Sequence, residues 1–168
     1  MIRLCDSRDD QAIFDIINDA SQAYRGVIPE DRYHEPYMSE DELAQEIEDG
    51  VVFWGYEEDG RLVGVMGNQN KGDVALIRHA YVKSSHRQGG IGTKLLHHLM
   101  SLEDRPVLIG TWAAAVWAIS FYEKNGFRRV SSAEKETLLR QYWNVPDRQI
   151  ETSVVLCDGR WAENKNGL

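Results

Sequence analysis

Residues 73–100 read DVALIRHAYVKSSHRQGGIGTKLLHHLM, and this stretch decides the fold. The apolar, β-prone run of residues 74–82 predicts a strand buried on both faces. After Gly92 the apolar residues fall at helical spacing, which predicts an amphipathic helix. Three glycines lie between the two elements, where they either form a plain tight turn or let backbone N–H groups approach a ligand at the start of the helix. Because strand, basic residue, glycines and helix occur together, we favour a phosphate or pyrophosphate site.

Composition and charge indicate one globular domain, residues 1–168, in a reducing compartment. The 168 residues are 42% hydrophobic and 27% charged, and they contain no apolar run long enough to span a bilayer and no signal-peptide pattern. The two cysteines, near opposite ends, predict free thiols in the cytoplasm. A net charge of -8 argues against binding to nucleic acid and favours cationic small substrates, although a solvated acidic surface also explains it.

The remaining segments alternate between strand-like and helix-like patterns, which predicts a mixed α/β domain. Strands are predicted over residues 1–5, 51–56, 61–67, 106–112, 127–130 and 149–157. Helices are predicted over residues 6–24, 39–50, 113–124 and 133–143. Residues 24–38 form a loop or broken helix rich in groups that bind or titrate, and we expect a frayed tail over residues 158–168.

Two further motifs accompany the glycine turn and carry a family resemblance. Tyr81-Val82, then RQGGIG (residues 87–92), then AISFYEKNGF (residues 118–127) resemble the GCN5-related N-acetyltransferases (GNAT). The resemblance implies an α/β fold whose mixed, mostly antiparallel central sheet is flanked by helices. It also implies that the strand carrying Tyr81 diverges from its neighbour to receive a cofactor.

The resemblance implies acetyl-coenzyme A as cofactor. The implied cofactor-binding residues are Tyr81, Val82, Arg87, Gln88, Gly89, Gly90, Ile91, Gly92 and Thr93. The pyrophosphate would lie on the amides of residues 88–93, and the N–H of Val82 would polarise the thioester carbonyl. Tyr122 matches the tyrosine that protonates the departing thiolate; alternatively, it only packs its helix against the sheet.

The sequence departs from the family pattern at two places. Ala115 stands where many relatives carry an Asn that contacts the cofactor. Leu76 and Arg78 occupy strand positions where some relatives carry a general base, and strand alternation predicts that His79 faces the other way. We therefore expect the amine proton to leave through water or through the 30–34 loop, with Glu30 and His34 as candidates.

Aromatic residues are candidates for the wall of an acceptor pocket, although core packing is the commoner role of such side chains. They are Tyr24, Tyr33, Tyr37, Trp54 and Trp112. Trp54 is assigned to the core, and Trp112 is left open between the two roles. His97 and His98, adjacent on a helix, point in different directions, so we predict no metal site.

The resemblance implies an N-acetyltransferase that moves an acetyl group to a primary amine of a small molecule or peptide by direct attack in a ternary complex. The alternative is a non-catalytic acyl-coenzyme A sensor or partner-binding module on the same fold. We expect no nucleic-acid or membrane partner. The sequence is compatible with a homodimer. Acceptor identity depends on loops that a single sequence does not decode.

Overall fold

The computed structural model describes residues 1–166, with side chains through Glu163. A seven-stranded sheet has the order β1-β2-β3-β4-β5-β7-β6. Its strands are β1 Ile2–Leu4, β2 Val51–Glu58, β3 Arg61–Asn70, β4 Ala75–Val82, β5 Val107–Trp112, β6 Arg128–Arg129 and β7 Ser153–Cys157. Only β4 and β5 pair in parallel, so the predicted mixed, mostly antiparallel sheet is confirmed.

Helices cover both faces of this sheet. They are α1 Asp10–Ala20, α2 Glu40–Glu48, α3 Ile91–Leu102, α4 Val116–Lys124, α5 Ser132–Leu138, α6 Asp147–Glu151 and α7 Gly159–Asn166, and a π-helical turn, Leu139–Trp143, follows α5. Helices α3 and α4 pack on one face, against Ala75 and Ile77. On the opposite face, α1 and α2 cover β2 and β3, while the α5–α6 region covers Leu76 and Leu108. Successive side chains along β4 therefore pack into two different hydrophobic cores.

The parallel pair β4–β5 separates halfway along its length. Pairing is confined to Ala75–Ile77 opposite Val107–Ile109, although β4 continues to Val82 and β5 to Trp112. A register shift also interrupts β3–β4 pairing between Val65 and Gly67, and His79 at this bulge has φ +55°. The strand that the resemblance implied would diverge does so, and an unpaired β4 edge lies in the gap.

Local signals at turns and helix ends act as the sequence predicts. Asp59 and Gly60 both have positive φ (52° and 76°), as a two-residue type I′ hairpin requires. The Ser39 hydroxyl accepts from the Glu42 amide at 3.1 Å and begins α2. Gly126, with φ +92°, ends α4. Both cysteines are free thiols.

Two predictions near the C-terminus were wrong. Residues 147–151 form α6, so the final strand begins at Ser153 and not at residue 149. Gly159–Asn166 is a helix and not a frayed tail. The indole of Trp161 donates to Glu134 Oε1 at 2.9 Å, and the buried Asp158 accepts from the Val107 amide at 3.1 Å. These long-range contacts anchor a segment whose composition is polar; residues 167 and 168 lie outside the described part.

No helix within residues 1–166 combines the length and apolar character that crossing a membrane requires.

Candidate functional site

A cavity of about 380 Å³ opens where β4 ends, between the start of α3 and one face of α4. It brings together most of the predicted site: Tyr81, Val82, Arg87, Gln88, Gly90, Ile91, Gly92, Thr93 and Tyr122. Gly89 belongs to the same turn but does not line the cavity. Ala23, Trp117 and Phe121 also line it. The two sequence motifs, about 30 residues apart, therefore converge on one space.

At Gly90 the turn before α3 presents bare backbone to this cavity. Gln88 and Gly90 both adopt left-handed φ, +74° and +73°, and no other atom lies within 4 Å of where a Cβ of Gly90 would stand. The amides of residues 91–93 lie in the first helical turn, where no intrahelical acceptor exists. Consecutive N–H groups in this arrangement form a concave anion site.

Two contacts hold this turn against the end of α1. Asp19 accepts from the Ser84 amide at 2.8 Å and from its hydroxyl at 3.1 Å. The Arg87 guanidinium donates to the carbonyl of Ala20 at 3.2 Å. The Arg87 side chain thus fastens the turn while it lines the cavity.

The N–H of Val82 points into the gap between β4 and β5. Lys83 N donates to Val63 O on β3 at 2.8 Å, and successive amides of an extended chain point to opposite edges. The Val82 amide therefore faces the edge that β5 has left, and Val82 lines the cavity there. This orientation is the one that a polarising N–H requires.

Tyr122 is 7% exposed and lines the cavity from α4. Its ring packs edge-on against Phe121 and Phe127, with centroids 5.1 and 6.0 Å away. Burial raises the pKa of the Tyr122 phenol, and the neighbouring Tyr24 raises it further. Within the described residues its hydroxyl has no hydrogen-bond partner, so a protonated phenol is available to the cavity.

A second cavity, of about 120 Å³, lies in the same gap on the other side of Tyr24 and Tyr81, which line both spaces. The hydroxyls of these two tyrosines are 3.3 Å apart. Burial raises the pKa of both phenols. Trp112 lines the second cavity and donates its indole N–H to the Tyr37 hydroxyl at 2.8 Å. Trp112, which the sequence analysis left open between core and pocket wall, therefore lines a cavity and also belongs to an aromatic cluster.

Trp143, on the π-helical turn, closes the second cavity from the far side. An added Cβ at Gly110 would lie 3.2 Å from the Trp143 ring, so the ring rests directly on the β5 backbone. The sequence analysis did not select Trp143. A glycine inside an apolar strand is the signal that marks such a close approach.

Glu30 and His34 line neither cavity and are exposed. The His34 imidazole contacts its own loop at the Pro36 carbonyl, 2.7 Å from Nδ1, and stacks on Tyr37. The structure therefore does not bring these two predicted residues to Tyr122. Ala115 is fully buried among Tyr24, Ile28 and Trp112 and lines neither cavity.

The prediction that His79 and Arg78 face opposite ways was wrong. Arg78 Nη2 lies 2.9 Å from Glu46 Oε1, and His79 Nε2 contacts Oε2 of the same carboxylate. The bulge at His79 breaks the alternation of the strand and turns both side chains toward α2. Both residues line the second cavity. No sequence pattern marks this bulge, because a glycine does not occupy the left-handed position.

Within residues 1–166, no group of three or more His, Cys, Asp or Glu side chains is placed to hold a metal ion. His97 Nε2 lies 3.0 Å from Asn125 Oδ1. The ring of His98 packs edge-on against Trp54 with centroids 4.7 Å apart. Trp54 itself packs against the core beneath α3, where the sequence placed it.

Comparison with known proteins identifies the class to which this fold and site belong. Residues 13–140 match the family described as Acetyltransferase (GNAT) domain. Because that match covers more than half of the chain, the chain belongs to the GNAT acetyltransferase family.

Particular relatives resemble parts or all of the chain. The N-acetylaspartate synthetase of Danio rerio is 33% identical over 95 residues, which are 53% of this chain and 34% of that protein. The chain thus matches about a third of the length of that curated relative.

Solved structures share the fold. The PaiA N-acetyltransferase from Thermoplasma acidophilum, in complex with coenzyme A, superposes with a TM-score of 0.71 at 18% identity, covering 94% of this chain and 97% of that one. The ribosomal-protein-S18-alanine N-acetyltransferase from Escherichia coli has a TM-score of 0.65 at 17% identity, covering 94% and 92%.

Proposed function

We propose that the protein is an acetyl-coenzyme A-dependent N-acetyltransferase that acts on a primary amine of a small molecule or peptide. The observation that carries this proposal is the pair of cavities that meet at Tyr24 and Tyr81 along the unpaired edge of β4. Direct transfer needs two substrates side by side, held in contact at their reacting atoms. Two cavities that share a wall meet that need, whereas a module that only senses an acyl donor needs a single cavity.

The first cavity fits acetyl-coenzyme A. Its left-handed turn leaves the Gly90 position open, and the amides of residues 91–93 suit the pyrophosphate. Its open β4 edge offers backbone groups that an extended pantetheine arm can pair with, as an added strand does. When bound, acetyl-coenzyme A supplies an acetyl group activated as a thioester.

Two groups of the chain serve the transfer itself. The Val82 N–H faces the gap and stabilises the charge that develops on a carbonyl oxygen there. Tyr122 holds its proton at neutral pH, as an ordinary phenol does, and burial raises its pKa further; it gives that proton to the departing sulfur. Both roles are inferred from the fact that Val82 and Tyr122 line the same cavity.

The second cavity receives the acceptor. Five aromatic side chains line it, namely Tyr24, Tyr37, Tyr81, Trp112 and Trp143. Faces of such rings attract an alkylammonium group, which agrees with an amine that arrives in its charged form. The relatives named above are an N-acetylaspartate synthetase and two N-acetyltransferases, which supports nitrogen as the acetylated atom.

An amine panel tests the proposal. The purified chain is incubated with acetyl-coenzyme A and, separately, L-aspartate, L-glutamate, spermidine, phenylethylamine and a peptide with N-terminal alanine. We expect amine-dependent release of free thiol, with an acetylated product detected by mass. Tight binding of coenzyme A without any product across the panel and a wider amine library would favour the sensor alternative.

A further inference from the structure

We propose that His79, oriented by Glu46, is the catalytic residue that accepts the proton of the acceptor ammonium group before nitrogen attacks. This inference rests on the proposed function and adds a general base that the family pattern does not supply here, since Leu76 and Arg78 stand at the usual positions. An alkylammonium has a pKa of about 10, like that of Lys, so it is almost fully protonated at neutral pH. Without a base, only the small free-amine fraction attacks.

The backbone at His79 is the first observation. A φ of +55° is uncommon for any residue with a side chain, and such strain persists where the surrounding structure enforces it. The bulge turns the imidazole to the second cavity and toward α2. A regular strand would send this side chain to the opposite face.

The lining of the second cavity is the next observation. Among its described residues, His79 alone carries an imidazole, and none carries a carboxylate. The phenols of Tyr24, Tyr37 and Tyr81 hold their protons at neutral pH, as ordinary phenols do, and burial raises the pKa of each further. Arg78 is a cation and cannot accept a proton. His79 is therefore the described lining residue whose neutral side chain has a nitrogen lone pair that can accept a proton.

The contact with Glu46 sets which nitrogen is available. Burial alone raises the pKa of Glu46, but the hydrogen bond from His79 and the charges of His79 and Arg78 outweigh it and lower the pKa below its usual value. Nε2 of His79 contacts Oε2 of Glu46, and an ionised carboxylate beside Nε2 favours the tautomer that carries its proton there. Nδ1, which has no hydrogen-bond partner among the side chains described through Glu163, then presents its lone pair. Glu46 acts through His79 and is a positioning residue.

Charged and titratable groups face the imidazole from each packed element: Glu46 on α2, Arg78 and Tyr81 on β4 and, lining the same cavity, Tyr24 and Tyr37. Of these, Glu46 carries the negative charge in direct contact, and Arg78 is paired to the same carboxylate. The carboxylate favours the imidazolium that forms when Nδ1 takes a proton.

In one turnover of the proposed acetyl transfer, protons and electrons balance in this way. The ammonium gives its first proton to Nδ1 of His79, which later passes it to solvent. The freed lone pair forms the C–N bond, the C–S bond breaks, and its electron pair leaves on sulfur. Sulfur takes the phenolic proton of Tyr122, and the second proton of the nitrogen returns through solvent to the Tyr122 oxygen.

The kinetic test uses His79→Gln and a matched control, His98→Gln. His98 is half-buried on the other face of the sheet and lines neither cavity. With the panel amine that the wild-type protein turns over fastest, we expect His79→Gln to lower kcat/KM at pH 7 by about 10²-fold or more. The deficit should shrink as pH rises and with an amine that is uncharged at neutral pH, because such nucleophiles need no base. A deficit constant across pH would overturn the proposal.

Glu46→Gln tests the positioning role. A neutral amide stabilises the imidazolium less than a carboxylate does, so we expect the acidic limb of the kcat/KM profile to move to lower pH. A purely structural ion pair would lower the melting temperature and leave the limb in place, which would contradict the role of Glu46.

A spectroscopic test needs neither cofactor nor turnover. Long-range ¹⁵N spectra of the free wild-type protein at pH 8.5 should show His79 protonated on Nε2 and bare on Nδ1. A proton on Nδ1 would overturn the proposal whether or not the amine panel gives product. If instead the panel gives product and His79→Gln keeps full kcat/KM at pH 7, the proposed function stands and the base assignment falls.

Discussion

Tyr122 and His79 lie in different cavities, and the Tyr24–Tyr81 pair forms a wall of both. One residue holds a proton, as an ordinary phenol does, and burial raises its pKa further. The other has a nitrogen free to accept one. The proposed mechanism therefore assigns proton delivery to sulfur and proton removal from nitrogen to separate groups. Each group can be removed without removing the other.

Replacement of Tyr122 with Phe tests the acid. The ring and its packing on Phe121 and Phe127 remain, and the lost hydroxyl has no partner within the described chain. We expect kcat to fall by about 10²-fold or more, with melting temperature and coenzyme A affinity nearly unchanged. Such a change in kcat with little change in KM marks an interaction made mainly in the transition state.

Tyr56→Phe serves as the matched control. Tyr56 is partly buried and lies outside both cavities, and its hydroxyl makes no hydrogen bond among the described residues. It should keep wild-type kcat. Near-normal kcat for Tyr122→Phe, with chemistry shown to limit the rate, would remove Tyr122 from the mechanism.

At the scale of elements, the β4–α3 turn exposes backbone groups to the first cavity, and the neighbouring helices hold it in place. Asp19 and the Ala20 carbonyl hold it against α1, and α3 buries Leu95, Leu96 and Leu99 beneath it. The open turn therefore stands on a rigid support, which limits the entropy lost when a ligand binds.

Gly90→Val tests the turn, with Gly60→Val as its control. The two glycines have nearly equal φ, +73° and +76°, and neither has an atom within 4 Å of an added Cβ. Both variants should lose stability by a similar amount, about 1–2 kcal/mol or more, because a β-branched residue is strained there. Only Gly90→Val should also bind coenzyme A at least about tenfold more weakly by calorimetry, because its side chain obstructs the amides. Equal affinities in the two variants would remove the turn from the binding site.

At the scale of the whole molecule, the first cavity couples distant parts of the chain. Its walls come from α1, β3, β4, α3 and α4, which together form most of two hydrophobic cores. A ligand that fills it contacts elements that separate on unfolding. Binding to the folded state alone stabilises that state by mass action.

Coenzyme A should therefore raise the melting temperature. At a concentration about 100 times its Kd, the gain is about 2.7 kcal/mol, which corresponds to roughly 5–10 °C for a domain of this size. Differential scanning fluorimetry measures the shift, and Gly60→Val should keep it while Gly90→Val loses most of it. The absence of a shift in the wild-type protein at saturating coenzyme A would contradict the assignment of the cavity.

The sequence by itself determined the elements and one half of the site. Local chemistry sets the glycine turn, the Asp59-Gly60 hairpin and the Ser39 cap, because each depends on backbone preferences of a few adjacent residues. Period-2 and period-3.6 apolar patterns placed the main strands and helices. The motif around Tyr122 and the turn at residues 87–93 sufficed to predict a shared cavity, which the structure contains.

Only the tertiary structure decided the second cavity, which we propose receives the acceptor. The bulge at His79 arises where β3 and β4 pair out of register, so alternation along β4 alone assigned the imidazole to the wrong face. Trp143 reaches the cavity through a π-helical turn that packs on Gly110, and Trp161 orders the C-terminal helix through Glu134. Each depends on contacts between separate elements of the chain, and a local pattern carries no record of which distant surfaces meet.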